Sequence, residues 1–535
     1  MGKSKVKQSR MARIAGIVAA ATLLSKLVAL VRQQAIAAAF GTGDAVNAYN
    51  YAYVIPGFLL VLLGGVNGPI HSAIVSVLSK RNQEQAASLV ETITTLVTGV
   101  LLLLTILLVI FADFFITLVG PGLSQTAHAI ATTQLRIMAP MALLAGLIGV
   151  GFGTLNAANQ YWLLSISPVF SSITIILGLG FLALQLGDKI ISPQHAFLGG
   201  LFLAWSTLAG AVLQWLIQLL TQWRLGLGTL RLRFDFRSSG VQEVIKIMAP
   251  AVFSSGMMQI NVYTNLFFAS PIPGAAAAFN YANLLVQTPL GIISNAILLP
   301  LLPMLSQLAD PADWDSLKQR IRQGILLTAI TMLPLGALMA ALALPIVKII
   351  YERYAFKQAD SQFVASVLIA SCIGMFVYLA RDVLVRVFYA LGDGDTPFRV
   401  SVFNIFLNAV LDYFLVQPFG APGIILATVG VNITSTLMFL WLLNRKLNGL
   451  PLREWSLPIL GLTAGSFVAG LASWLTLQGC QQIWGSKGLL LQILQLLVSG
   501  TVGIAIFALI AAQMKLPEVD IFVSRLRQRF GRSKE

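Results

Sequence analysis

The chain has 535 residues, of which 57% are hydrophobic and 10% charged, with a formal net charge of +15. A soluble globular protein carries about 25% charged residues, so most of this surface does not meet water and a polytopic membrane protein is predicted. Two cysteines, Cys372 and Cys480, lack any CxxC or zinc spacing, which excludes disulfide-scaffold and thiolate-metal chemistry.

The N-terminal "MGKSKVKQSRMAR" is basic and leads into an apolar run. That run carries Lys26 and Arg32 and continues to about Phe40. A signal peptide has a short, uniform apolar core and a small-residue cleavage site, so this stretch is read as a retained first helix. Fourteen helices are expected, at 14–40, 46–79, 87–118, 131–156, 163–186, 195–222, 242–270, 276–308, 322–350, 361–391, 398–417, 422–444, 456–478 and 488–513. Each has the roughly 20 apolar residues needed to cross a bilayer core.

Lysines and arginines test this placement, because cytoplasmic segments hold the excess. The N-terminus and every second connection after it, together with the C-terminal tail, hold 24 basic residues, against 4 (Lys189, Arg353, Lys357, Lys487) on the other side. Both ends are therefore expected in the cytoplasm. The same asymmetry explains the net charge without a nucleic-acid partner.

The basic residues left at membrane depth include Lys26, Arg32, Arg136, Lys246, Lys348, Arg381 and Arg386. Buried ionisable groups are costly and usually face a wet cavity. Arg136, Lys246 and Lys348 lie near helix ends and can snorkel. Asp382 and Arg386 are i,i+4 neighbours that can pair within their helix. Lys26 and Arg32 sit mid-helix with no acid on the same helix, and read as functional.

The chain also repeats itself. "AYNYA" (Ala48–Ala52) returns as "AFNYA" (Ala278–Ala282). "VSVLSK" (Val75–Lys80) is followed in kind by "LPMLSQ" (Leu302–Gln307), and "FGTLNAANQYWLLSISP" (Phe152–Pro168) by "FYALGDGDTPFRVSV" (Phe388–Val402). The near-constant offset spans six helices, an even number, so both copies keep one orientation. Such parallel repeats occur in transporters, with sites between the halves.

The expected fold is thus all-α, with two parallel six-helix lobes around a central cavity plus two C-terminal helices. In residue terms these are a basic N-terminus (1–13), an N-lobe (14–222), a basic linker (223–241), a C-lobe (242–444), helices 13 and 14 (445–513) and a basic tail (514–535). Helices 1, 2, 7 and 8 are the expected lining. They carry amides at Asn47, Asn50, Asn67, Gln259, Asn261, Asn265, Asn280, Asn283, Gln287 and Asn295. A single amide in such a helix can also simply join two helices.

No Walker loop, HExxH or paired-carboxylate site is present, and no soluble segment exceeds roughly 20 residues. The chain is therefore not expected to be an enzyme. Transport would draw on an ion gradient, the membrane potential or a reaction that consumes the product.

"SKLVALVRQQAIAAAFGTGDAVNAYNYAYVIP" resembles the opening of the MurJ/MviN family of lipid II flippases, within the multidrug/oligosaccharidyl-lipid/polysaccharide exporter superfamily. "APAVFSSGMMQINVYTNLFFAS", "FNYANLLVQTPLGI" and "VFYALGDGDTPFRV" are similar to further family segments in the same order. The resemblance covers about residues 14–445 and implies alternating access that moves an undecaprenyl-diphosphate-linked peptidoglycan precursor to the outer leaflet of a bacterial inner membrane. It places Arg32 and Lys26 on cationic cavity positions that would take the diphosphate, for which an arginine fork is well suited. Asn47, Asn50, Asn280 and Asn283 would meet the sugars. Helices 13 and 14 would hold the lipid tail, and the chain would act as a monomer among membrane lipids.

The sequence departs from the family at three places. "GFLLVLLGGVNG" lacks the paired arginines of helix 2, Leu284 stands where an arginine would be, and Asn47 replaces an acid. Export of another lipid-linked oligosaccharide is the alternative these departures favour; a cation-coupled drug exporter and a non-transporting scaffold are more distant ones. The family's sodium constellation matches in part at Asn265, Asn408, Asp412 and Thr428. Asn408 and Asp412 share one helix face, and oxygen ligands suit a hard cation such as Na+; H+ coupling is the other option. No further metal or cofactor is expected.

Overall fold

The computed structural model describes residues 2–65, 68–485 and 488–518, with side chains described from Ala20 onward apart from a few scattered positions. Asn67, Lys487, most of the basic tail and the side chains of the basic N-terminus fall outside this set. The described chain is helical, and its α-helices run in order as α1 (Gly2–Phe40), α2 (Asp44–Leu62), α3 (Pro69–Leu78), α4 (Gln83–Ile110), α5 (Ala112–Val119), α6 (Gln125–Met138) and α7 (Met141–Ala157). They continue as α8 (Tyr161–Leu186), α9 (Ala196–Arg224), α10 (Ser239–Met258), α11 (Ile260–Ala269), α12 (Ala275–Ser306) and α13 (Trp314–Ala341). The last are α14 (Ala343–Tyr351), α15 (Gln358–Ala390), α16 (Asp395–Phe419), α17 (Ala421–Lys446), α18 (Leu452–Trp484) and α19 (Leu489–Gln513).

Among the described residues, twelve helices are long and apolar enough to cross a membrane, or thirteen when α6 and α7, bent by 41°, are taken as one span. The protein is therefore a multi-pass membrane protein. The fourteenth expected span corresponds to α10 and α11, which part at Gln259. Other expected single helices are also divided. The 46–79 segment breaks between α2 and α3, where Gly64, Gly65 and Gly68 precede Pro69 at the first turn of α3. Glycine carries no helix preference and proline cannot continue an incoming helix, though it starts a new one well. Pro140 likewise sits between α6 and α7.

The apolar faces confirm the solvent. On α4 the outward side chains are Val100, Leu103, Ile106, Leu107 and Ile110, all exposed. In water such a stripe would be an unpaired apolar patch; in a bilayer it is ordinary helix surface. Polar side chains close the helix ends instead. Asn82 Oδ1 accepts from Gln85 N at 3.0 Å to start α4, and Ser124 Oγ accepts from Ala127 N at 3.2 Å to start α6.

The chain divides into two compact units. The first holds residues 1–277 with Arg353–Lys357, and the second holds residues 278–352 and 358–535. In the first, α3, α4, α7 and α10 bury a core around Ile70, Ile74, Val90, Ile93, Val150 and Val244. In the second, α13, α18 and α19 bury Ala329, Leu462, Ala469, Phe507 and Ala511. α10 and α11 thus belong with the first unit, whereas the second begins within the first turn of α12.

Candidate functional site

In the first unit, α1 is a membrane helix that carries two of the expected cationic residues. Lys26 is exposed and Arg32 half-buried. Six residues advance a helix by about 600°, so the two side chains leave α1 about 120° apart and do not share one face. Among the described residues the buried Arg32 Nε has no hydrogen-bond partner. Tyr49 and Tyr53 lie on α2. Those two rings stack at 5.4 Å, and the Tyr49 hydroxyl meets Thr207 Oγ1 at 3.1 Å. A half-buried guanidinium with an open donor is a fitting place for an anionic oxygen ligand.

The amides divide into different roles. Asn47 is buried on α2, and among the described residues its Oδ1 has no hydrogen-bond partner. Asn50 Nδ2 donates to Val46 O at 2.7 Å, back onto its own helix. In the second unit Asn280 and Asn283 lie on α12 one turn apart, and both are exposed. Leu284, at the position that departs from the family pattern, is half-buried on the same helix.

The residues of the expected cation constellation fall in different units. Asn265, half-buried, lies on α11 in the first, whereas Asn408, Asp412 and Thr428 lie in the second. The structure brings Asn408 and Asp412 together: Asn408 Nδ2 donates to Asp412 Oδ2 at 2.6 Å, and both side chains are fully buried. Thr428 Oγ1 donates to Ile424 O at 3.3 Å on α17.

The sequence reading missed that this polar stripe continues. Asn404 lies one turn before Asn408, is also buried, and its Oδ1 accepts from Ser435 Oγ at 2.8 Å. The signal was available: residues 404, 408 and 412 repeat at intervals of four, the spacing of one helix face. These oxygens could hold a hard cation. Among the described residues no three His, Cys, Asp or Glu side chains group as metal ligands.

The charged cluster of α15 pairs differently from expectation. Arg381 NH1 lies 3.8 Å from Asp382 Oδ1, while Arg386 NH1 donates to the Leu298 carbonyl of α12 at 3.1 Å. α12 carries Pro289, Pro300 and Pro303, and each proline removes a backbone donor and crowds the preceding turn. Arg386 therefore braces a proline-rich helix rather than pairing with Asp382.

The profile of the family described as "Lipid II flippase MurJ" matches residues 36–495. A Synechocystis protein described as "Probable lipid II flippase MurJ" is 57% identical over 527 residues, covering 98% of this chain and 99% of its own length. "Lipid II flippase MurJ" of Burkholderia cenocepacia is 28% identical over 468 residues, with 85% and 88% covered. Among solved structures, "Lipid II flippase MurJ, inward closed conformation" has a TM-score of 0.75 at 21% identity, covering 93% of this chain and 98% of that one. An inward-facing multidrug resistance transporter of the MATE family has a TM-score of 0.62 at 16% identity, with 84% and 99% covered. These two likenesses are of fold.

Proposed function

Because the chain belongs to the lipid II flippase MurJ family, we propose that it moves lipid II, an undecaprenyl-diphosphate-linked peptidoglycan precursor, across a bacterial inner membrane for cell-wall synthesis. Full-length agreement with curated family members carries this reading. The proposed path is alternating access without covalent chemistry on the substrate, by a monomer whose two ends lie in the cytoplasm.

In this reading Arg32 takes a diphosphate oxygen through its open Nε, with Lys26 as a second, more mobile charge. Asn47, Asn50, Asn280 and Asn283 hydrogen-bond sugar hydroxyls. Asn265, Asn408, Asp412 and Thr428 would respond to Na+ or H+, so that an ion gradient biases the cycle. Leu284 favours a second reading, export of another lipid-linked oligosaccharide, because it removes a charge where relatives carry one.

Complementation of a host strain depleted of its own lipid II flippase separates the two. Rescue is the expected result. Failure to grow despite normal membrane levels of the protein would favour the oligosaccharide. Within a rescuing background, Arg32→Ala should lower transport by about ten- to a hundredfold, the scale of one lost hydrogen bond to a charged group of about 1.5–3 kcal/mol. Unchanged growth with Arg32→Ala would remove the diphosphate from this residue.

A further inference from the structure

The segment between α9 and α10 has a feature to which the proposed transport assigns no role. From Leu230 it reads "LRLRFDFR", a strict alternation of apolar and polar residues that ends at Arg237. Successive side chains of an extended segment point to opposite sides, so Leu232 and Phe234 lie on the side away from Arg233, before the chain turns at Phe236, whose N donates to Phe234 O at 2.9 Å.

Thr229 and Arg233 latch the segment onto α4, while Arg231 and Arg237 stay exposed. Glu91 is buried, and its Oε1 accepts from Thr229 N at 3.0 Å and from Thr229 Oγ1 at 2.8 Å. Its Oε2 pairs with Arg233 Nε at 2.8 Å. Arg233 N donates to Thr95 Oγ1 at 3.1 Å and Arg233 NH1 to Ser88 Oγ at 2.7 Å. Ser88, Glu91 and Thr95 lie at i, i+3 and i+7, one face of α4. Gly228, at φ +106°, lets the backbone enter against Ala87 and Glu91.

The apolar face is left open. Leu232 is 71% exposed and Phe234 70%. Arg231 and Arg237 beside them are exposed too, as are Trp223 and Arg224 at the end of α9. Asp235 is the one acid in the ribbon.

Depth along the membrane fits the same picture. α4 has 28 residues, about 42 Å at 1.5 Å per residue, whereas a bilayer core is about 30 Å thick. Glu91 lies eight residues, about 12 Å, from the start of α4, which sets the ribbon at interface depth. Apolar side chains that dip in while arginines stay at headgroup level are the mark of an interfacial anchor.

We infer that residues 229–237 form an anchor to anionic phospholipid, with Leu232 and Phe234 inserted among acyl chains, Arg231 and Arg237 on lipid phosphates, and Glu91 as the latch that sets its depth. The inference requires only that α4 crosses the membrane and stands apart from the identity of the transported lipid.

The full-length chain, with Cys372 and Cys480 replaced by Ala and Leu232→Cys labelled with a fluorophore, is placed in nanodiscs of phosphatidylcholine with or without phosphatidylglycerol. Expected are quenching by brominated acyl chains, shielding from aqueous iodide, and a stronger effect with phosphatidylglycerol. Arg231→Gln and Arg237→Gln should each lower the inserted-to-free ratio about fivefold in the anionic discs, from about 1 kcal/mol per basic residue. Iodide quenching equal to that of the free fluorophore–cysteine adduct in buffer would overturn the anchor. Shielding from both quenchers would overturn it too, because the cover would then be protein. Insertion indifferent to phosphatidylglycerol would overturn the role of the arginines. Glu91→Gln, and Thr229→Val should the first fail to fold, should raise iodide access; no change in the variant that folds would overturn the latch.

Discussion

Ala48–Ala52 and Ala278–Ala282 differ at one residue in five, yet each serves its own unit in a different way. The shared letters are core. Ala48, Tyr51 and Ala52 are fully buried in the first unit, and Ala278, Tyr281 and Ala282 are fully buried in the second. The shared asparagine does not pack alike: Asn50 is half-buried and bonded to Val46 O, and Asn280 is exposed. The surroundings diverge further. The Tyr51 hydroxyl donates to Leu266 O at 3.1 Å. Tyr281 instead packs its ring 5.0 Å from that of Tyr351, whose hydroxyl donates to the Tyr281 carbonyl at 3.3 Å. The repeat preserves volume in the core, and the polar chemistry around that volume was free to change.

The hardest blow to this comparison is removal of the shared ring. Tyr51→Ala and Tyr281→Ala should each cost about 3–5 kcal/mol of unit stability, as large-to-small core substitutions of aromatic residues do. Thermal unfolding of the detergent-solubilised protein is the measurement. A shift in only one of the two variants would show that the repeat is sequence likeness without equivalent packing.

The helices that carry the two stretches then part ways. In the first unit the helix stops at Leu62 and restarts at Pro69, whereas α12 runs unbroken through three prolines. At the break the Leu63 carbonyl lies against Gly149 of α7, where a Cβ would collide with it. Gly149→Ala must therefore push backbone against backbone, at a cost of about 1–3 kcal/mol. Substituting Gly256, which has open space around it, is the control in the same assay. Equal effects at both glycines would mean that the break tolerates crowding.

These contrasts mark what could be read from the chain alone. Hydropathy placed most of the spans, because it is a property of one segment at a time. The breaks were written in "GGVNG" and Pro140 but masked by the apolar residues on either side. Local i,i+4 logic found Asn408 with Asp412, since both sit on α16. It could not find Glu91 with Arg233, or Asn404 with Ser435, because those partners are fixed by how helices pack. The same limit applies to Arg386, which donates to a carbonyl of α12.

A smaller test concerns the hydroxyl that separates the two tyrosines. Tyr51→Phe keeps the ring and loses the bond to Leu266 O, for about 1 kcal/mol. Tyr351→Phe removes the corresponding bond to Tyr281 in the second unit. Near-equal losses in thermal unfolding are expected; a neutral Tyr51→Phe would leave ring volume as the whole reason for that residue.

The third repeated pair gives the smallest effect and the clearest sign. The turn after α7 is closed by neutral groups: Asn156 Nδ2 meets His71 Nε2 at 2.6 Å, and Tyr161 donates to Asn159 Oδ1 at 2.7 Å. The turn after α15 is ionic. Asp393 accepts from Thr396 N at 3.0 Å and Thr396 Oγ1 at 2.9 Å, and pairs with Lys446 at 2.6 Å. Burial opposes ionisation of Asp393, but the bonds from Lys446 and Thr396 together outweigh it and hold the carboxyl below its usual range. A carboxyl depressed in the folded state contributes stability that is complete above its unfolded value of about 3.9 and is lost as pH falls through the folded value. The group lies near solvent, so screening limits the contribution to below about 1 kcal/mol. Lys446→Met should flatten this acid-side slope in the unfolding profile of the second unit and leave that of the first unchanged. A slope that persists in Lys446→Met would assign the depression to Thr396 and the start of α16, and so to the turn itself rather than to the ion pair.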